Sequence, residues 1–532
     1  MPRRRAVPTL ASLCLQSLAQ HMQSLWAKDY SDNYLDEYEF RFLVGPFNDL
    51  ACGLVQELLR VLGASRRLSR AALHLLLLPH LRQLSLRPCP SLANNALGHL
   101  IVLRCQGLSS LDLGGCGRLS PAVLVDVAEG LPRLSRLGLA HTQANVQVLS
   151  AVGSCCRLLR ELDVSGCRKV TPRALRHLGY DPLARTPGCP ALRVLLARDL
   201  EPTGDGDTVA AVAFLLLALP QLEVLAHGAV PDALRLLHAG QLDGTADPEG
   251  FLALQELARG RGAAPGGPPL SLPLRQLEEV EEDALGTVHA VCPRAEELSV
   301  WLGDGPGPAG LRELPGWQCL SRLTLGCAGR HGRALAEVLP LAEALGARLH
   351  ALTLHGFSCP DPLSLPALLS GCPSLQSFST ELHVPPDPHA PAEPPAPPPR
   401  WATDLLPLGL PQLQSFSLAL AGPVPAAHVP VLSSTLASVL SRAPRLQTLR
   451  LLTLPFPLDS VLEPELGELG ELQELSLAGS HVSPHTVWHL LGSEGPLRRL
   501  DLSRCPHIHR RDYDGFLQFV QRQRLDLDIA WE

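Results

Sequence analysis

The segment Leu108-Ser-Ser-Leu-Asp-Leu-Gly-Gly-Cys116-Gly-Arg-Leu119 constrains this chain more than any other, because it recurs with variations almost to the C-terminus. Copies begin at Leu81, Leu134, Leu159, Leu320, Leu349, Leu413, Leu446, Leu472 and Leu497, and weaker ones at Leu192, Leu222, Ala295 and Leu375. That makes about fourteen units with a period of about 25 residues, more than the three or so a stacked array needs for stability. In L-x-x-L-x-L the last two leucines alternate with other residues, the period-two signature of a strand with one buried face. Stacked copies predict a parallel sheet over a leucine core. Between strands, 119–132 and 170–179 read as helices, and Ser120-Pro121 and Thr171-Pro172 place an N-cap residue before a first-turn Pro. The predicted fold class is α/β, a solenoid with one continuous core, although 532 residues could hold three or four globular domains.

This is the pattern of a leucine-rich-repeat horseshoe, with the sheet inside and helices outside. Cys89, Cys116, Cys167, Cys327 and Cys505 stand where other repeat types carry Asn, and are expected in the turn after the strand, bonded to neighbouring backbone or packed as small apolar groups. Further cysteines open the turn before a strand, in CCRLLREL from Cys155, CPALRVL from Cys189 and CPSLQSF from Cys372. Residues 81–530 thereby resemble the cysteine-containing leucine-rich-repeat subfamily, typical of the substrate receptors of F-box ubiquitin ligases and their relatives. The resemblance implies a protein-binding array.

Composition narrows the function classes. A net charge of −7 gives no support for nucleic-acid binding. Most of the fifteen cysteines fall at repeat-periodic positions, which argues for reduced packing residues rather than a disulfide framework. No apolar h-region follows Met1-Pro-Arg-Arg-Arg, and Leu73–Pro79 is too short to span a bilayer. A cytoplasmic or nuclear protein with no membrane contact is expected. Three interruptions punctuate the repeats. Residues 201–207 read as a polar loop. The Pro-, Gly- and Ala-rich stretches 244–273 and 383–400 lack a core pattern and are expected to be disordered insertions; the second carries P-x-x-P spacing, which leaves an SH3 or WW ligand as the alternative.

Residues 1–80 do not follow the repeat. A helix over 9–26 is predicted with Leu10, Leu13, Cys14, Ser17, Leu18, His21 and Leu25 on one face. It either caps the first repeats or lies in a partner's groove. Thr9-Leu10-x-x-x-Cys14-x-x-x-Leu18 resembles the BC-box by which substrate receptors dock on the elongin B/C adaptor, which implies Leu10 as the main anchor with Cys14 and Leu18 beside it. A Pro-led helix follows over 46–62, with Pro46, Phe47, Leu50, Leu54, Leu58 and Leu62 as its apolar stripe. Its position resembles the cullin-contacting box of such receptors, although Gly45 stands where an apolar residue normally precedes the Pro. F-box motifs also start with a Pro-led helix, so an F-box adaptor is the other implied partner. Tyr30, Tyr34 and Tyr38, in the acidic stretch between, form either a partner contact or rings tucked against the cap.

No nucleophile elbow, phosphate loop or H-E-x-x-H is present, so a non-enzymatic protein with no cofactor is expected. Cys505-Pro-His507-Ile-His509 invites a metal reading, but Cys505 and Ile508 fit the repeat and no second ligand pair accompanies them, so no metal is expected. The residues flanking the strand leucines should form the concave binding face: Arg87, Asp112, Asp163, Trp301, Arg322, His355 and Arg450 among them. Trp301 is either a hot spot or a ring folded over the edge of a nearby insertion. Two functions stay open. One is the substrate-recognition subunit of a cullin-RING ubiquitin ligase, holding an unidentified target on the repeats. The other is a scaffold or regulator with no ligase attached.

Overall fold

A computed structural model describes residues 9–28, 45–200, 205–240, 242, 249–262, 270–303, 310–327, 332–385, 409–465, 469–492 and 495–532. The chain divides into two compact units, Pro8–Glu278 with Ala290–Pro293, and Glu279–His289 with Arg294–Glu532.

The N-terminal unit starts with helices α1 (Leu10–His21), α2 (Cys52–Ala64) and α3 (Arg70–Leu76). Its repeat strands are β1 (Gln83–Ser85), β2 (Ser110–Asp112), β3 (Arg136–Gly138) and β4 (Glu161–Asp163). A small antiparallel hairpin of β5 (Tyr180–Asp181) and β6 (Thr186–Pro187) stands apart. The repeats resume with β7 (Val194–Leu196), β8 (Val224–Ala226) and the start of β9 (Gln276–Glu281). Consecutive repeat strands pair in parallel, leucine on leucine: Leu84, Leu111, Leu137, Leu162, Leu195 and Leu225 are in register and buried.

The C-terminal unit continues the plan with β10 (Glu297–Leu302), β11 (Arg322–Cys327), β12 (Ala351–Ser358), β13 (Ser377–His383), β14 (Ser415–Ala421), β15 (Thr448–Leu452), β16 (Glu474–Ser476), β17 (Arg499–Asp501) and β18 (Asp528–Ala530). These also pair in parallel and in chain order. Strand–helix alternation around a leucine core makes each unit a leucine-rich-repeat array of the α/β class. Helix starts follow side-chain caps: Asn94 and Asn145 each accept the N–H three residues on, at 2.9 and 3.2 Å. Among the described residues no helix is long and apolar enough to cross a membrane.

Several expectations need correction. Two repeat strands, β9 and β18, were not among the copies read from sequence. Cys327 is the last residue of β11 rather than a turn residue, because it follows Leu325 by two positions instead of three. The helix Pro121–Gly130 has Ser120 at its N-cap, but no cap bond from its hydroxyl; Ser120 N–H instead donates to Asn95 Oδ1 at 2.9 Å. The Pro-led helix does not start at Pro46. Residues 46–50 close separate turns, Asn48 N–H to Gly45 O and Leu50 N–H to Phe47 O, as suits a Gly-Pro-x-Asn-Asp segment, and helical bonding begins at Ala51 O.

The insertion expected over 244–273 is in part a folded clamp. Phe251 is buried with ring centroids 5.6 Å from Phe214 and 5.0 Å from His177, under the Arg176 guanidinium at 4.3 Å. Helix Leu254–Gly260 then delivers Arg261, which donates to the carbonyls of Leu216, Leu217 and Leu219 at the end of helix Asp205–Ala218. Those carbonyls lack helical partners, and a cation there also opposes the helix dipole. Asp205–Asp207, expected in a loop, form the first turn of that helix. Residues 244–248 and 263–269 of the first insertion and 386–400 of the second lie outside the described residues, as do Tyr30, Tyr34 and Tyr38.

Candidate functional site

Helix α1 is capped by Thr9, whose hydroxyl accepts Ser12 N–H at 3.2 Å. It packs through Leu15 and Ala19, both buried, beside α2, whose Val55, Leu58 and Leu62 are buried in turn. Leu54, expected on the apolar stripe of that helix, is exposed, and Val55 takes its place. After His21 the helix widens into a π turn, Met22–Ala27. A π turn takes in an extra residue, and here it keeps Met22 and Ala27 on the buried side. The opposite side is left open and apolar: Leu10 is 77% exposed, Leu13 44% and Leu25 57%, with Cys14 exposed beside them. Leu18 sits half-buried at the boundary.

The remaining N-terminal candidates divide. Pro46 is exposed. Phe47 is buried edge-on against Trp26, with centroids 5.7 Å apart, and so belongs to the interior of the helical segment. Leu50 is half-buried and its carbonyl accepts His80 Nε2 at 2.9 Å.

The second candidate surface is the strand face whose residues alternate with the core leucines. In the N-terminal unit α2 flanks this face, and a groove of about 850 Å³ runs between them, lined by Gln56 and Arg60 of the helix and by Arg87, Asp112, Arg136, Gly138 and Asp163. Asp112 accepts Ser85 Oγ at 3.1 Å, and Arg87 reaches Asp163 at 3.8 Å. Val194 and Leu196 also line it. Neither is marked by the leucine–polar alternation of the repeat; the aliphatic run in LRVLLARDL is their only signal in the sequence.

In the C-terminal unit Trp301 is 44% exposed and lies flat over Gly326, its partner in register on β11; a β-carbon on that glycine would come within 2.6 Å of the ring. The neighbouring strand therefore supplies the floor for the ring. Arg322 pairs with Glu297 at 3.1 Å and Arg450 approaches Glu474 at 3.8 Å, cross-strand ion pairs that leave this face without a single-sign field. His355 is exposed on β12. These residues and those of the N-terminal groove belong to different units.

Most of the repeat cysteines are used as packing groups. Cys167 Sγ donates to Leu139 O at 3.0 Å and Cys505 Sγ to Leu477 O at 3.1 Å, each in the preceding repeat. Burial pushes the Cys116, Cys156 and Cys189 thiols up to about 12, where little nucleophilic thiolate forms at neutral pH. The histidines of the Cys505 motif are also engaged: His507 packs against His481 at 5.0 Å, and His509 caps helix Arg510–Gln523 in a reciprocal box with Asp512.

No family model matches the chain. Solved structures similar to it include the yeast complex of Rad7 and Elc1, 18% identical over 73% of this chain and 97% of that one, with a TM-score of 0.39. Another is the leucine-rich-repeat-containing protein LegL7 from Legionella pneumophila, 14% identical over 66% of this chain and 95% of that one, with a TM-score of 0.32.

Proposed function

We propose that the chain is a non-catalytic substrate receptor of a cullin-RING ubiquitin ligase, which holds a target protein on its repeat strands and an elongin-type adaptor on α1. The observation that carries the reading is the two-sidedness of α1. Leu15, Ala19, Met22 and Ala27 anchor it, while Leu10 and Cys14 of the BC-box resemblance stay open with Leu13 beside them, and Leu18 lies half-buried at the edge. A helix serving only as an end cap has no use for leucines on its solvent side. The role requires no chemical group from this chain, because holding the target beside a separate ligase component supplies proximity alone.

Co-expression of the full chain with elongin B and elongin C tests this. Wild type is expected to retain both through size-exclusion chromatography. Leu10→Ala/Cys14→Ala is expected to lose them at an unchanged melting temperature, because both side chains are already exposed. A wild-type chain that retains neither elongin sinks the proposal. Retention of the F-box adaptor instead reassigns the helix to that class.

A further inference from the structure

On the strand face of the N-terminal unit most positions beside the core leucines are polar or glycine, and β7 and β8 depart from that. Val194 pairs in register with Val224, and Leu196 with Ala226, forming a two-by-two aliphatic block. Val194, Leu196 and Val224 are only half-buried, and the first two line the groove beside α2. Polar residues at these positions would leave the leucine core beneath untouched, so the aliphatic choice brings an advantage only when something covers it.

The charges around the block indicate what that something is. On one side Arg87 lies over Gly114 and reaches Asp163 at 3.8 Å. On the other, Arg198 spans β8 to grip Glu278 on β9, donating from Nε and Nη2 at 2.5 to 3.2 Å. Further along the groove Arg136 and Glu161 are neighbours in register and opposite in sign. A charged guest at the block would have to disrupt one of these pairs; an uncharged apolar guest leaves them intact as a polar rim around a dry centre. We infer that the half-buried surface of Val194, Leu196 and Val224, with Ala226 buried beside it, is the anchor site for one large apolar side chain, Leu, Ile, Met or Phe, on an uncharged segment of the target protein. The inference rests on the repeats being a protein-binding surface and is independent of the adaptor helix.

Selection of a phage-displayed random dodecapeptide library against the full chain tests it. Recovered peptides are expected to share one large apolar position without flanking charge. A synthetic recovered peptide should bind Leu196→Asp at least about tenfold more weakly. Leu196→Ala, the milder variant in case the aspartate perturbs folding, should show a smaller loss at an unchanged melting temperature. Leu10→Ala should bind like wild type, which separates this site from the adaptor helix. A charged consensus, undiminished binding to both Leu196 variants, or no enrichment overturns the inference. Sedimentation equilibrium covers the remaining occupant: self-association of wild type that Leu196→Asp abolishes would assign the block to a second copy of the chain and overturn it as well.

Discussion

The short strands β2–β4 and the long strands β10–β14 each rest on a leucine core of the same kind but end differently. The first span three residues each; the second span six to eight. After β2, β4 and also β17, an aspartate folds back on its own strand end: Asp112 accepts Gly114 N–H, Asp163 accepts Ser165 N–H and Asp501 accepts Ser503 N–H, each at 3.0 Å. A residue in the left-handed region follows, Gly115, Gly166 or Arg504, as His141 does after β3. Then comes a buried hydrogen-bonding side chain. Cys167 and Cys505 fill that place, and Ser480 does so after β16, donating to Leu451 O at 2.8 Å. No such aspartate turn follows Val300 or Leu354, and those strands run on to Leu302 and Ser358. Strand length in this molecule is thus set by what stops the ladder, and the hydrophobic pattern that starts it is common to both kinds.

Four expected outcomes probe that comparison. Leu162→Ala in β4 and Leu354→Ala in β12 should each cost about 3 kcal/mol, because both side chains are fully buried. Local opening energies from amide hydrogen exchange would expose an inequality, and a large one would mean the two kinds of strand do not rest on equivalent cores. Acid should then part the two units. Burial holds His74 down at about 4, with Arg104 and Arg70 adding to the effect, and burial also lowers His177 and His227; all three lie in the N-terminal unit. The fold disfavours the protonated ring, so this stability is complete above the usual value of 6.5 and is lost as pH falls toward 4. A loss of about 2 kcal/mol is expected in the N-terminal unit after discounting for partial solvent exposure, and it sets in at higher pH than any loss in the C-terminal unit, whose lowered groups are the carboxylates Asp459, Glu463 and Asp501. Exchange followed unit by unit, corrected for its intrinsic pH dependence, reads this, and His74→Gln should blunt it. Gly166→Ala should cost slightly less, about 1.5 kcal/mol, since φ is +66° and a β-carbon would meet the His141 ring. Ser480→Ala, which removes the closing bond after β16, should cost about 1 kcal/mol and fray that strand end specifically; an unaffected strand end would break the account of how the ladder stops.

The register of the strands and the role of most turn cysteines were legible in the sequence because L-x-x-L-x-L-x-x-C encodes both burial and turn spacing. Where the spacing slips, legibility fails. In β9 the buried residues are Leu277 and Val280, three apart instead of two, because Glu279 adopts φ +55° and shifts the alternation. In β18 the run Leu525, Leu527, Ile529 alternates but lacks the opening L-x-x-L. The helical face of α1 was legible as a grouping but not as a direction. Leu15, Ala19, Met22 and Trp26 form a rival stripe of equal quality, and only the packing beside α2 decides which stripe turns inward. The clamp at Phe251 and Arg261 was hidden by the Gly- and Pro-rich residues around it, since its anchoring partners are side chains and carbonyls of another repeat.

The closing bond after β4, β16 and β17 points one way along the chain, from a turn back to the carbonyl of the repeat before it. Truncation therefore has a polarity. Shortening the chain from its C-terminal end returns a carbonyl to water, which hydrates it readily. Shortening it from the N-terminal end strands a thiol or hydroxyl donor at the new first repeat. Homologous arrays that lengthen or shrink by whole repeats should accordingly tolerate change more readily at the C-terminal end.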